Sequence, residues 1–91
     1  MRYCYIVERL IEKEWTDIPI DRRMAVYSSK KRAIAQYEIE KAKILQKIHG
    51  EEEEWDIQIS SLSDRLCRFF IIRSKEGNAR DRVSINKIQL Q

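Results

Sequence analysis

One short segment combines residue types that suit the binding of an anion, and it reads Ser28-Ser29-Lys30-Lys31-Arg32. It stands where a helix is predicted to begin, and a serine hydroxyl can accept a hydrogen bond from a free N–H of the first turn. Helix N-termini carry partial positive charge, so three cations there make the end more positive. We expect the segment to bind an anion such as a phosphate or an acidic partner surface, with Arg22 and Arg23 joining it. The alternative is an ordinary capped helix whose cations are solvated.

A second set of basic residues lies toward the C-terminus. Arginine suits paired hydrogen bonds to phosphate or carboxylate groups. The residues of this set do not all fall on the same face of the predicted strands. They form either one partner-binding patch or solubilising charges divided between the two faces of the sheet. The members of the set are Arg65, Arg68, Arg73, Lys75, Arg80 and Arg82.

Catalytic and metal-binding patterns are absent from the sequence. His49 is the only histidine and falls in the last turn of the predicted helix, where a cation is favourable. Cys4 and Cys67 are widely separated and do not have the spacing of metal ligands, so we expect two reduced, partly buried thiols. Two glycines cannot build a phosphate-binding loop. We therefore predict no enzyme activity, no metal and no cofactor.

The strand pattern indicates an antiparallel sheet, with further extended chain at Trp15–Ile20 and turns at Ser63-Asp64 and Lys75-Glu76-Gly77-Asn78. Tyr3–Ile11 carries apolar residues on both faces, and Leu66–Arg73 has a central run apolar on both faces, so we expect it inside the sheet. Trp55, Ile57 and Ile59 alternate with polar residues, which is typical of a half-buried strand. The parity of apolar residues changes within Val83–Leu90, which predicts a bulge near Asn86-Lys87.

A long helix is predicted from the serine pair to about His49, with Gly50 as its stop. One stripe faces the core. A second, thinner stripe is either an exposed helix back or a contact with another copy. The first stripe holds Ala33, Ile34, Tyr37, Ile44, Leu45 and Ile48, and the second Ala35, Ile39, Ala42 and Gln46. Residues 1–91 are thus predicted to form one two-layer α+β domain of order ββαβββ, with the helix packed on the sheet.

Composition bounds the class of protein. The chain has 91 residues, a net charge of +3 and no apolar run near the roughly 20 residues of a membrane helix. A short apolar N-terminus without a cleavage site favours a cytoplasmic protein. Glu51–Glu54 is predicted to be a solvated acidic loop whose charges discourage edge pairing of the next strand. A sheet with one helix leaves apolar residues on its second face, which either loops or another copy must cover; the second alternative predicts a homodimer.

Residues 3–37 resemble small accessory proteins of phages and mobile elements. The resemblance lies in Tyr3-Cys4-Tyr5-Ile6-Val7-Glu8 and in Ala25-Val26-Tyr27-Ser28-Ser29 before the helix. Pro19 and the acidic run are not part of that pattern. The resemblance implies a compact accessory protein that binds a host macromolecule and inhibits it in the host cytoplasm, and it carries no catalytic residues over.

Three functional hypotheses follow from the sequence, of which the third, a minimal enzyme, has no residue pattern in its support. The first is a non-enzymatic binding protein that docks on a host protein as a modulator or inhibitor. The second is binding of nucleic acid, nucleotide or phosphate through the basic helix start and the C-terminal arginines, with an affinity that falls steeply with salt.

Overall fold

The computed structural model of the chain describes residues 2–12, 21–62, 67–76 and 79–90. Several predicted features lie outside these residues. They are the extended segment Trp15–Ile20, the turn at Ser63-Asp64, Arg65, and the turn glycine Gly77.

Five strands and one long helix make up the described fold. The predicted class is confirmed: α+β, with an antiparallel five-stranded sheet and one α-helix. The strands lie in the order β2-β1-β5-β4-β3, and a 3-10 turn, Glu52–Glu54, precedes β3. The elements are β1 (Arg2–Glu12), β2 (Asp21–Tyr27), α1 (Lys30–Lys47), β3 (Trp55–Leu62), β4 (Cys67–Ser74) and β5 (Arg80–Leu90).

Both ends of α1 follow from local chemistry. Ser29 is the N-cap in extended conformation, and its hydroxyl accepts a hydrogen bond from the Arg32 N–H at 3.3 Å. The helix ends at Lys47, and the backbone reverses through Gly50, whose φ of +86° suits a residue without a Cβ. The predicted capping serine pair and glycine stop are therefore confirmed, with Ser29 as the capping residue.

The core lies between α1 and the middle of the sheet. Alternate residues of β1, β5 and β4 point toward the helix and are buried against it. β4 lies between β5 and β3, as its two-sided apolar run predicts. The core side chains are Tyr5, Val7, Phe70, Ile72, Val83 and Ile85 of the sheet, with Ala33, Tyr37, Ile44 and Ile48 of α1.

The predicted bulge in β5 is wrong. β5 pairs with β1 residue for residue from Arg80 to Leu90, without an inserted residue. Val83 and Ile85 point to the helix, whereas Ile88 and Leu90 lie on the opposite face of the sheet. The strand is regular, and its apolar residues lie on both faces because the second face of the sheet is also partly apolar. This is why the apolar positions seem to shift by one residue along the sequence.

The predicted half-burial of β3 is only partly realised. Trp55 packs against the core, but Ile57 and Ile59 are 45% and 62% exposed. A helix with its side chains is about 10 Å wide, whereas five strands span about 19 Å between the outer axes. Helix α1 packs mainly against β5, β1 and β2, and it leaves Ile57 and Ile59 of β3 uncovered. Leu45, predicted to face the core, is 41% exposed, because the buried face of α1 runs through Tyr37, Glu40 and Ile44 and Leu45 lies beside that face.

The cap hydrogen bond gives a stability test. Ser29→Ala removes the side-chain acceptor for the Arg32 N–H and should lower the free energy of unfolding by about 1 kcal/mol. The matched control is Ser28→Ala at the exposed neighbouring serine, which should change it by less than about 0.5 kcal/mol. Urea denaturation measures both, and equal losses at the two serines would contradict this assignment of the cap.

Candidate binding surfaces

A buried cluster of ionic groups joins α1 to the middle of the sheet. Arg9 of β1 donates from Nη1 to Glu40 Oε2 at 2.8 Å and from Nη2 to Asp81 Oδ2 of β5 at 3.1 Å. Lys47 approaches the same carboxylate of Asp81 at 3.5 Å. The Asp81 side chain is 1% exposed. Because buried charges are costly without partners, these groups hold the helix and two strands in one relative position.

Glu40 is the acidic member contributed by the helix. Burial alone raises the pKa of its carboxyl group, but the hydrogen bond from Arg9 and the charge of Lys43 outweigh burial and lower it from 4.5. Gln36 also donates to this carboxylate at 2.9 Å. The pKa of Arg9 is raised: burial lowers it, and the hydrogen bonds to Asp81 and Glu40 more than compensate.

We did not predict this cluster from the sequence, although a signal was present. Arg9 continues the alternation that buries Tyr5 and Val7, and Asp81 continues the alternation of Val83 and Ile85. Glu40 lies on the buried face of α1. Charged residues at core positions on three elements are best explained by pairing with one another.

The face of the sheet away from α1, the open face, carries a different set of side chains. No described helix or strand lies over it. Side chains at paired positions of β2, β1 and β5 lie side by side on this face. Val26, Ile6 and Asn86 are neighbours in this way, as are Met24, Glu8 and Ser84. Large apolar side chains are exposed there, with Val26 64% exposed. They are Met24, Val26, Ile88 and Leu90.

A concavity of about 400 Å³ lies at the centre of the open face. Its apolar wall is formed by Ile6, Phe69 and Ile71. One polar end holds Glu8 and Arg82. At the other end, the Cys67 thiol donates to Asn86 Oδ1 at 3.1 Å. The lining residues are Ile6, Glu8, Cys67, Arg68, Phe69, Ile71, Arg82, Ser84 and Asn86.

Charge at this concavity is centred on Glu8. Its carboxylate accepts hydrogen bonds from Arg22 Nη2 at 3.1 Å and from Arg82 Nη2 at 3.0 Å. Arg82 Nε is buried and has no hydrogen-bond partner among the described residues. By strand register, the charged residues of the open face are five arginines and three acids: Arg2, Arg22, Arg73, Arg80 and Arg82 with Glu8, Glu12 and Asp56.

The structure brings together only part of the predicted anion-binding segment. Lys30, Lys31 and Arg32 are exposed in the first turn of α1, which has no acidic residue. Arg22 lies near the other end of β2, about 20 Å of extended chain from Ser28. Arg23 points to the helix side of the sheet, opposite Arg9. These two arginines therefore do not form one site with the helix start.

The C-terminal arginines divide between the two faces. Arg68 pairs with Ile85 and lies on the helix side, whereas Arg73, Arg80 and Arg82 lie on the open face. Arg73 and Arg80 are directly opposite each other. Among the described members of the predicted patch, only these three arginines lie together on the open face.

The second helix stripe is exposed along its length: Ala35, Ile39, Ala42 and Gln46 all face solvent. Its use as a contact between copies stays a prediction.

The two cysteines, Cys4 and Cys67, are both free and half-buried on the open face. They lie on β1 and β4, which β5 separates. Two strand spacings of about 4.8 Å place them too far apart for a disulfide. The expectation of two reduced, partly buried thiols therefore agrees with their placement.

Groups suited to catalysis or metal binding do not converge within the described residues. His49 is exposed, with its Nδ1 3.7 Å from Glu52 Oε1. No group of three or more His, Cys, Asp or Glu side chains in this part of the chain is placed to hold a metal ion. Nor does any described helix have the length and apolarity needed to cross a membrane.

Comparison with protein-family models, curated proteins and solved structures yields no match to this chain. The function is therefore inferred from the surfaces described above.

The ion cluster predicts that replacing Arg9 lowers the free energy of unfolding more than replacing Arg22. Arg9→Met leaves Asp81 and Glu40 buried without their main partner and should lower the free energy of unfolding by about 3 kcal/mol. The control, Arg22→Met, removes an exposed ion pair with Glu8 and should cost less than about 1 kcal/mol. Urea denaturation distinguishes them, and similar losses would show that the cluster does not stabilise the fold.

The lowered pKa of Glu40 predicts a dependence of stability on pH. Folding favours the ionised form, so its contribution is complete above the unfolded pKa of 4.5 and is lost as pH falls through the folded value. Glu40→Gln cannot titrate and should lose less stability than the parent chain on acidification. Urea midpoints across a pH series test this, and parallel curves would contradict it.

Proposed function

We propose that the chain is a small, non-enzymatic protein-binding module that docks through its open face. The partner surface is apolar at its centre and acidic around it. In line with the resemblance of residues 3–37 to phage accessory proteins, the partner is a host protein, which the chain inhibits by covering part of its surface. The observation that carries the proposal is the exposed apolar area around the central concavity of the open face.

Burial of the open face would supply the favourable free energy of docking. Monomeric soluble proteins rarely leave large apolar areas uncovered, and such areas mark interaction sites. The exposed Val26 and Met24 of β2 and Ile88 and Leu90 of β5 flank the half-buried Ile6 of β1. A concavity between such strands accepts an inserted apolar side chain, which is the usual form of an interface anchor.

The charges of the open face select the class of partner. By strand register that face has five arginines and three acids, so an acidic surface is attracted and a basic one is repelled. A carboxylate of the partner placed at the Glu8 end of the concavity would lie near the guanidinium groups of Arg22 and Arg82, which share the single carboxylate of Glu8.

Nucleic-acid binding receives less support from the same geometry. The cations occupy separate places: the helix start, the open face, and the helix side at Arg68. A backbone-tracking site needs a continuous basic path. Binding of this kind is therefore an outcome that the experiment must be able to detect.

The test compares two variants with equal exposure on different faces. Val26→Glu places a carboxylate on the open face, and Ile59→Glu places one on the helix side of β3, where the parent side chains are 64% and 62% exposed. Tagged parent and variant chains capture proteins from nuclease-treated host lysate, and the captured protein is then titrated in solution. We expect Val26→Glu to weaken binding at least about tenfold, and Ile59→Glu to leave the one-to-one affinity unchanged.

Three results would overturn the proposal. One is equal binding by the parent chain and Val26→Glu. Another is equal weakening by both variants. The third is loss of the captured partner on nuclease treatment, together with salt-dependent binding of labelled DNA or RNA oligonucleotides, which would favour the nucleic-acid hypothesis.

A further inference from the structure

The two edges of the sheet are protected differently. Edge strands expose unpaired backbone groups, and proteins commonly protect them with charged side chains that point inward. The edge strand β2 has such a charge in Arg23, which lies opposite Arg9 on the helix side. On the helix side of β3 the described side chains are Trp55, Ile57 and Ile59, none of which is charged. β3 is therefore the less protected edge.

The exposed part of β3 is apolar on one side only. Ile57 and Ile59 are uncovered on the helix side because α1 packs mainly against β5, β1 and β2. Asp56, Gln58 and Ser60 occupy the other side. An added strand must therefore continue the same alternation, with apolar residues on the helix side.

A second copy of β3 satisfies this requirement. The sequence around Gln58 is nearly symmetrical, with Ile57 and Ile59 on either side of it. We propose that two copies pair β3 with β3 in antiparallel orientation about a two-fold axis at Gln58, which forms one continuous ten-stranded sheet. This register places Ile57 of each copy opposite Ile59 of the other, as a two-fold interface requires.

The acidic run that precedes β3 does not meet its own copy in this register, whereas like charge disfavours a second copy on the open face. In the antiparallel pairing Asp56 of one copy meets Ser60 of the other, and the two Glu51–Glu54 runs lie at opposite ends of the paired strands. Two open faces brought together would instead confront two arginine-rich surfaces. The homodimer expected from the sequence is thereby assigned to β3.

Pairing through β3 leaves the open face of each copy free to bind a partner. Extending the sheet through β3 places both of them on the same side of the joined sheet, so a dimer can present two docking surfaces. The inference does not depend on the proposed function, because it rests on β3 and leaves the apolar residues of the open face unused.

Sedimentation equilibrium over a range of protein concentrations tests the dimer. The parent chain should approach twice its mass of 11.0 kDa. Ile59→Glu should remain monomeric at concentrations where the parent is dimeric, because it places an unpaired charge against Ile57 of the other copy. The matched control, Val26→Glu on β2, should dimerise like the parent. A parent chain that stays monomeric, or equal effects of the two variants, would overturn the proposal.

Crosslinking tests the register without relying on a destabilising change. In the proposed pairing position 58 faces itself, so Gln58→Cys should form an intermolecular disulfide under mild oxidation. Asp56→Cys is the matched control: its two copies lie several residues apart and should crosslink no more than the parent, which contains Cys4 and Cys67. Equal crosslinking at positions 56 and 58 would overturn this register.

Discussion

The position of Arg9 constrains the rest of the structure. This one guanidinium binds a helix carboxylate 31 residues away and a strand carboxylate 72 residues away. A shift of β5 by one residue would move Asp81 to the open face and leave Arg9 with less compensation. Apolar packing tolerates small rearrangements, whereas a buried charge requires its partners at hydrogen-bond distance. The cluster therefore specifies the strand register and the placement of α1 together.

Fixing α1 above β1 and β5 determines what remains uncovered. A single helix cannot span five strands, so one edge on the helix side stays exposed, and β3 is that edge. The opposite face has no described layer at all. The two uncovered surfaces are thus consequences of how the helix is anchored, and they can be considered separately because they lie on different faces and carry different charges.

Much of the local structure could be predicted from the sequence, because it depends on neighbouring residues. Ser29 and Gly50 bound the helix, and alternation identified the two faces of β1. What failed depended on residues distant in sequence. The pattern of β3 correctly placed Ile57 on the helix side, but its burial depends on how far α1 extends across the sheet. Arg22 and Arg23 are adjacent in sequence yet point to opposite faces, so nearness in sequence gave the wrong site.

The centre of the open face has an electrostatic asymmetry that bears on its use. Glu8 accepts hydrogen bonds from both Arg22 and Arg82, so one carboxylate serves two guanidinium groups. The shared carboxylate compensates one positive charge of the pair, and Arg82 Nε still lacks an acceptor among the described residues. Exposed Arg22 can be solvated by water, whereas Arg82 Nε is buried beside apolar side chains. Because that nitrogen is enclosed by the chain's own atoms, the proposed acidic partner would respond to the uncompensated charge of Arg22 and Arg82 and not to this hydrogen bond.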